Sequence, residues 1–299
     1  MGGAPIQTSQ AREFTVSLIL VTGAAGGVGT LIRPRLARPG RTLRLLDLVA
    51  LEPGEGEEFV QASVTDPVAM RAACEGVDAV IHLGGISLEA PWERILDVNI
   101  NGTHTVFEAA RRAGVHRVVF ASSNHAVGFR TPAEYPLTAA TPPLPDTYYG
   151  VSKVAGEALG ALYHHRYGLD VICIRIMTCF AEPPDPRALS TWLSPDDCAR
   201  LLEACLAVEH PGYRIVYGVS PNTRGGWVSL DEARALGYAP VDDAEVHAGA
   251  VLAAHGQPAA DDPVLAHLGG RFTFPDLDAD HLCGAPVTSL PPRQGHAPR

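Results

Sequence analysis

The chain is 299 residues long, 46% hydrophobic and 19% charged, a composition that builds one large buried core and excludes a disordered body. Its formal charge of -10 is set against no basic cluster, which argues against nucleic acid and anionic membrane surfaces as partners. No apolar run reaches the ~20 residues that cross a bilayer, and the opening MGGAPIQTSQAREF lacks an apolar signal core, so a cytoplasmic protein is expected.

Residues 1–13 read as an N-terminal tail. The stretch Leu18-Ile19-Leu20-Val21-Thr22-Gly23-Ala24-Ala25-Gly26-Gly27-Val28-Gly29 is an apolar run that breaks into glycines and resumes as a helix. Its chemistry suits a dinucleotide. Gly23 lets a strand end in a tight turn, Gly26 lets backbone approach a pyrophosphate, and Gly29 lets the following helix sit against the sheet. The positive end of that helix then faces the phosphates. A second strand pattern, Thr42-Leu43-Arg44-Leu45-Leu46-Asp47, ends in an acid about 20 residues on, where a carboxylate bonds both ribose hydroxyls. Asp47 would repel a 2′-phosphate and no Arg or Lys directly follows it, which favours NAD over NADP.

Further along, apolar runs at 16–21, 43–47, 59–62, 79–83, 115–122, 169–175 and 213–219 alternate with helical patterns. They are β-branched and apolar on both parities, as parallel strands covered on both faces must be. The expected fold is α/β, a doubly wound Rossmann-type parallel sheet of about seven strands with a small C-terminal substrate-binding region. Residues 92–113 and 148–167 read as two long helices that either meet another copy of the chain or simply cover the sheet. Ser194-Pro195-Asp196-Asp197 carries the signals of a helix start, and Ser229-Leu230-Asp231-Glu232 repeats the capping-box pattern, with Gly237 placed to end that helix. The spacing therefore predicts a single domain over 14–270, of which 14–175 is mainly nucleotide-binding and 176–195 and 220–260 supply substrate-binding elements. A partly disordered tail is expected over 271–299. The six cysteines (Cys74, Cys173, Cys179, Cys198, Cys205, Cys283) lack CxxC spacing, so idle thiols are expected rather than disulfides or a metal site.

Two segments at strand ends carry the chemistry. Ala121-Ser122-Ser123-Asn124-His125 closes one strand in hydroxyls, and Tyr148-Tyr149-Gly150-Val151-Ser152-Lys153 places Tyr149 one helical turn before Lys153 on the same face. Lys153 is the only lysine among 23 basic residues. Arg serves wherever a surface merely needs positive charge, so a lone Lys marks a place that requires a compact ammonium. The four-residue spacing favours Tyr149 over Tyr148, and Ser123 is preferred to Ser122.

With TGAAGGVG, Asp47, His82-Leu83-Gly84-Gly85, Asn99-Ile100-Asn101-Gly102-Thr103, Ser122-Ser123 and Tyr149-Gly150-Val151-Ser152-Lys153, the chain resembles an extended short-chain dehydrogenase/reductase of the NAD-dependent epimerase/dehydratase family over roughly residues 16–250. Ser122-Ser123-Asn124-His125, Glu182-Pro183 and the segment Arg187-Ala188-Leu189-Ser190-Thr191-Trp192-Leu193-Ser194 are similar to its uronate dehydrogenase branch, in which NAD oxidises C1 of a cyclic hexuronic acid to an aldarolactone. The resemblance implies Tyr149 as base, Lys153 as its partner and Ser123 on the reacting oxygen, with Ser87, Asn124, His125 and Arg187 around the sugar. The expected cofactor shell is Gly23, Ala25, Gly26, Gly27, Val28, Gly29, Asp47, Leu83, Gly84, Gly85, Asn99, Tyr149, Lys153 and Ile176. Family members commonly bond adenine with an acid where Ser63 stands here, so that contact falls to Ser63 or to the backbone of Val64. Met177 stands where the branch usually has Gly, and Trp227 where paired tryptophans are expected. A homo-oligomer is implied, and no metal.

A free Tyr titrates near ~10, so service as a base near neutrality needs a fall of roughly 3 units, about 4 kcal/mol. An exposed ion pair supplies at most about 1 kcal/mol. Lys153 and a positive nicotinamide ring must therefore act together in a cleft with little water. Arg187 is the expected specificity element, a fork that binds the C6 carboxylate bidentately and that a neutral sugar cannot exploit. The rival readings are a nucleotide-sugar epimerase or dehydratase on the same fold and a non-catalytic NAD-sensing regulator.

Overall fold

The computed structural model describes residues 17–277. The expected N-terminal tail, residues 278–299 and Cys283 lie outside the described residues. Nine strands run in chain order: β1 (Leu18–Thr22), β2 (Thr42–Asp47), β3 (Glu57–Gln61), β4 (Ala79–His82), β5 (Arg117–Ser123), β6 (Asp170–Ile176), the short β7 (Thr178–Cys179) and β8 (Trp192–Leu193), and β9 (Tyr213–Gly218). The α-helices are α1 (Gly27–Leu36), α2 (Pro67–Ala73), α3 (Trp92–Arg94), α4 (Gly102–Ala113), α5 (Tyr148–Tyr167), α6 (Ala188–Thr191), α7 (Pro195–Ala207), α8 (Asp231–Ala235) and α9 (Ala248–His255).

Seven strands form one sheet in the order β3-β2-β1-β4-β5-β6-β9, and all of its pairings are parallel. The strand order reverses between β1 and β4, which opens a crevice beyond their carboxyl ends. Apolar residues on both parities of the strands are buried because helices cover both faces. Ile32 and Leu36 of α1 and Leu201, Leu202, Cys205 and Leu206 of α7 pack with one face. Met70 of α2, Val106, Phe107 and Ala110 of α4 and Tyr163 of α5 pack with the other. A third cluster, Val127, Leu137, Met177, Tyr217, Val219, Val228 and Leu268, lies under the irregular segments that follow β6 and β9. β7 and β8 pair with each other and tie the segment after β6 to the start of α7.

Three details differ from the sequence expectation. The helical run over 92–113 is continuous, but Ile95–Asn101 is π-helical. The widened turn turns Asn99 inward, where its side chain bonds Ile86 and Ser152. Ser229 does not close a capping box: its hydroxyl accepts from Asp231 N at 3.0 Å, while Glu232 accepts from Ala139 N at 3.2 Å instead of reaching back to the helix start. The boundary expected between 270 and 271 falls inside a packed turn. Leu268 is buried, Gly270–Thr273 forms a 3-10 turn, and the Phe272 ring lies 4.1 Å from that of His125, so residues 271–277 continue the body. The composition of the longer stretch from about His255 onward, rich in Pro, Gly, Asp and Ala, assigned them to a tail although 271–277 itself carries two phenylalanines and a leucine. What orders them is contact with distant loops.

Candidate functional site

β1 ends at the switch point in Gly23, whose φ is +70° and where a Cβ would stand 2.7 Å from Gly84 N. Only glycine lets the ends of β1 and β4 come this close. A Cβ on Gly29 would lie 2.4 Å from Gly23 O, so α1 packs directly on the end of the strand. Gly26 caps α1 without a side-chain hydrogen bond, and Gly27, Val28 and Gly29 form its first turn. Their amides are the group of donors that accommodates a phosphate. Asp47, at the end of β2, accepts from Ala25 N at 2.9 Å and from Val49 N at 3.0 Å. Its carboxylate braces the glycine turn and keeps lone pairs for ribose hydroxyls. The neighbouring Leu48 and Val49 are exposed and uncharged. This cradle fits the adenosine pyrophosphate of NAD.

The remaining expected cofactor residues divide between lining and support. Val28, Leu83 and Ile176 are half-buried and pack against the core between the sheet and α7, where they border a small apolar void with Ile81, Val119, Ala121, Ile174, Leu193, Cys198, Leu201 and Leu202. Val64 fills space left by glycines, since a Cβ on Gly84 or Gly102 would come within 2.8 Å of its methyl groups. The Ser63 hydroxyl is engaged by Thr65 at 2.8 Å. Gly85 lies against Asn99, whose amide accepts from Ile86 N at 2.7 Å and donates to Ile86 O at 2.9 Å and Ser152 Oγ at 3.1 Å. Asn99 thus spends its side chain on holding the loop after β4.

Successive residues of β5 point to opposite faces, and this separates the two serines. Ser122 donates to Glu157 Oε1 at 2.7 Å, and Glu157 in turn takes Arg175 Nε and Nη2, both at 2.9 Å, in a buried pair that ties α5 to β5 and β6. Ser123 faces the other way, bonds the Tyr149 phenol and accepts from His125 N at 3.2 Å. On α5 the two tyrosines part in the same manner. Tyr148 is 50% exposed and sits edge-on to Trp92, whereas Tyr149 is 7% exposed. The Lys153 ammonium lies 5.4 Å from the Tyr149 ring centroid and donates to Ala121 O at 2.7 Å. Glu89, distant in sequence, accepts from Tyr148 N at 3.2 Å and Tyr149 N at 2.9 Å, and Thr147 caps Gly150 N at 2.9 Å. The first turn of α5 is therefore pinned from two sides.

Burial dominates the electrostatics. It pushes the Tyr149 phenol up to about 12, against the Ser123 hydrogen bond and with the help of the nearby Asp146 charge. It holds Lys153 down to about 8. His82, between the hydroxyls of Thr22 at 2.8 Å and Thr103 at 3.1 Å, is pushed down to about 3 by burial and then by the Lys153 charge, and is neutral. The protein by itself does not ionise the phenol near neutrality, so a base at Tyr149 requires a further positive charge.

Beyond Ser123 the side chains expected around a sugar converge through one carbonyl. Leu268 O accepts from Asn124 Nδ2 at 3.4 Å and from Arg187 Nη2. Arg187 stands over the Trp227 ring at 5.5 Å, and Trp227 stacks on Tyr135 at 5.4 Å. Its Nε is shut from water without a hydrogen-bond partner, and no carboxylate forms a salt bridge with it among the described residues. Burial lowers the guanidinium below its ordinary value, opposed by the charges of Asp185, Tyr135 and Asp146. Ser87 is exposed on the loop after β4. Met177 is buried in the third cluster with Trp227 against it, which accounts for an apolar side chain at that position.

Sequence reasoning missed Glu89, Asp146 and Phe272. Asp146 reads locally as an ordinary acid before a helix, and Phe272 lies where composition indicated a tail. Only the folded chain brings them to the site.

The sequence pattern of the NAD dependent epimerase/dehydratase family matches residues 19–214. The uronate dehydrogenase of Pseudomonas syringae pv. tomato is 44% identical over 85% of this chain and 92% of its own length. The NAD-dependent glucose-6-phosphate dehydrogenase of Haloferax volcanii is 40% identical over 75% of this chain and 93% of its own. A crystal structure of Agrobacterium tumefaciens uronate dehydrogenase, a tyrosine-to-alanine mutant complexed with NAD, superposes with a TM-score of 0.81 at 41% identity, covering 86% of this chain and 97% of that one. With a glycine cradle at the switch point, a tyrosine and a lysine on one face of α5, and relatives matched over nearly their whole length, the chain belongs to the NAD dependent epimerase/dehydratase family.

Proposed function

We propose that this protein is an NAD-dependent oxidoreductase that converts the anomeric carbon of a hexuronic acid, D-glucuronate or D-galacturonate, to the aldarolactone. The observation that carries the substrate class is Arg187. Its guanidinium lies one carbonyl away from Asn124, with a buried Nε that has no hydrogen-bond partner among the described residues. A carboxylate binds such a fork in two places, whereas a neutral sugar leaves it unpaired. The names of the relatives support the same class.

Gly23, Gly26 and Gly29 shape the loop that would hold the pyrophosphate, Asp47 the ribose, and Leu83 and Ile176 the ring. When bound, NAD supplies the hydride acceptor and a positive ring. Tyr149 takes the proton of the C1 hydroxyl, Ser123 holds that oxygen against the phenol, and Lys153 contributes the second positive charge that offsets the cost of burying a phenolate. Asn124, His125 and Ser87 orient the sugar hydroxyls. The reading includes a cytoplasmic homo-oligomer. It is supported by the exposed apolar side chains of Trp92, Leu96, Tyr148 and Val151 on the two long helical runs, and light scattering in solution tests it.

A panel of free uronates, neutral aldoses, aldose 6-phosphates and nucleotide sugars, each with NAD and NADP, tests the reading. Net NADH should appear with free uronates. Formation of NADH with aldose 6-phosphates alone would move the assignment to the chemistry named for the Haloferax volcanii relative. Conversion of a nucleotide sugar without net NADH would favour an epimerase or dehydratase, and no turnover at all would leave a regulator.

A further inference from the structure

We propose that Asp146 is a positioning residue for the substrate: it fixes His125 with its proton on Nδ1, so that Nε2 presents a lone pair to a sugar hydroxyl. Asp146 precedes the cap of α5, and its side chain is fully shut from water. Its Oδ2 lies 2.7 Å from His125 Nδ1, and its Oδ1 accepts from Thr147 Oγ1 at 3.0 Å. The space it occupies is made by two glycines from distant segments. A Cβ on Gly128 or on Gly269 would come 1.9 Å from Oδ2, and Gly269 N donates to Gly128 O at 2.8 Å to close the slot.

An ionised carboxylate only accepts hydrogen bonds, so the imidazole nitrogen facing it must carry the proton. His125 Nε2 has no hydrogen-bond partner among the described residues, the side chain keeps 13% of its surface exposed, and the ring is held between Tyr149 at 5.7 Å and Phe272 at 4.1 Å, centroid to centroid. The charged and titratable groups around the pair are Tyr149 on α5 and Arg187 from the segment before α6, which both respond to Asp146. A buried acid that sets a histidine tautomer is the division of labour known from hydrolase triads. Here it orients a group that binds.

The inference rests on the uronate reading only for the identity of the hydroxyl. Its first test needs no substrate: long-range nitrogen–proton NMR of histidine-labelled wild-type protein, assigned by loss of one signal in His125→Gln. At a pH where the ring is neutral, the proton should sit on Nδ1; a ring protonated on Nε2, or an even mixture, overturns the proposal. In Asp146→Asn the amide nitrogen can donate to Nδ1, so the proton should move to Nε2. The KM for uronate should then rise by about tenfold, because Nε2 becomes a donor and the sugar hydroxyl must turn its proton away from the ring to accept, losing the hydrogen-bond pattern the site was matched to, while kcat and NAD affinity change far less. An unchanged KM in a folded variant refutes the idea. If Asp146→Asn does not fold, the wild-type tautomer decides alone. If uronates are not turned over, KM is read on whichever aldose is, and the tautomer result stands apart from the failed substrate assignment.

Discussion

Lys153→Met should make the protein more stable at pH 7 while it removes activity. Lys153 is 8% exposed, and burial takes its pKa from 10.5 to about 8. A difference of that size between unfolded and folded states corresponds to about 3 kcal/mol. The folded pKa is the lower one, so the folded state disfavours the charge: the penalty is fully present below pH 8 and disappears as pH rises toward 10.5. Methionine has a similar length and no charge. It forfeits the 2.7 Å bond to Ala121 O, which is worth about 1 kcal/mol. The remainder, about 1–2 kcal/mol in favour of the variant, raises the melting temperature by about 2–4 °C per kcal/mol for a domain near this size. Urea or thermal unfolding of both proteins without NAD, from pH 7 to 10.5, reads the gap. Groups common to both cancel in the difference, which isolates Lys153. A Met variant no more stable at pH 7, or a gap that stays constant across this range, would refute the claim that the ammonium is held in place at the expense of the fold.

Tyr149→Phe should lower kcat by about 10²–10⁴-fold with uronate while NAD binding, followed by fluorescence titration, is retained. Arg187→Ala should lower kcat/KM for uronates by roughly 10- to 100-fold, the worth of hydrogen bonds to a charged group, and leave turnover of matching neutral aldoses nearly unchanged. Equal losses on both would exclude carboxylate binding there. Gly29→Ala places a methyl group 2.4 Å from Gly23 O and should cost about 1–3 kcal/mol in unfolding experiments, together with a loss of NAD affinity, because α1 must move off the strand end.

The sheet and the backbone features of the candidate cofactor site were legible along the chain because their signals are local. A parallel strand buried on both faces must be apolar on both parities, and seven such runs match the ends of the seven strands of the sheet to within two residues. The glycine turn, the acid ending β2 and the four-residue step from Tyr149 to Lys153 are each fixed by backbone sterics or helix geometry over a few residues. The strand pleat even separates Ser122 from Ser123, although which of them faces the cleft depends on where Glu157 and Arg175 lie.

Tertiary structure alone decided the rest. That Arg187 meets Asn124 at Leu268 O, that Phe272 covers His125, that Glu89 pins the start of α5 and that two glycines 141 positions apart make room for Asp146 are contacts between segments with no periodic pattern. Their partners are chosen by the burial of unpaired polar groups and by close packing, which act through space and leave no mark on neighbours in the chain. The same holds for the charge of Lys153: its identity could be read from the sequence, but the dry surroundings that lower its pKa exist only after folding.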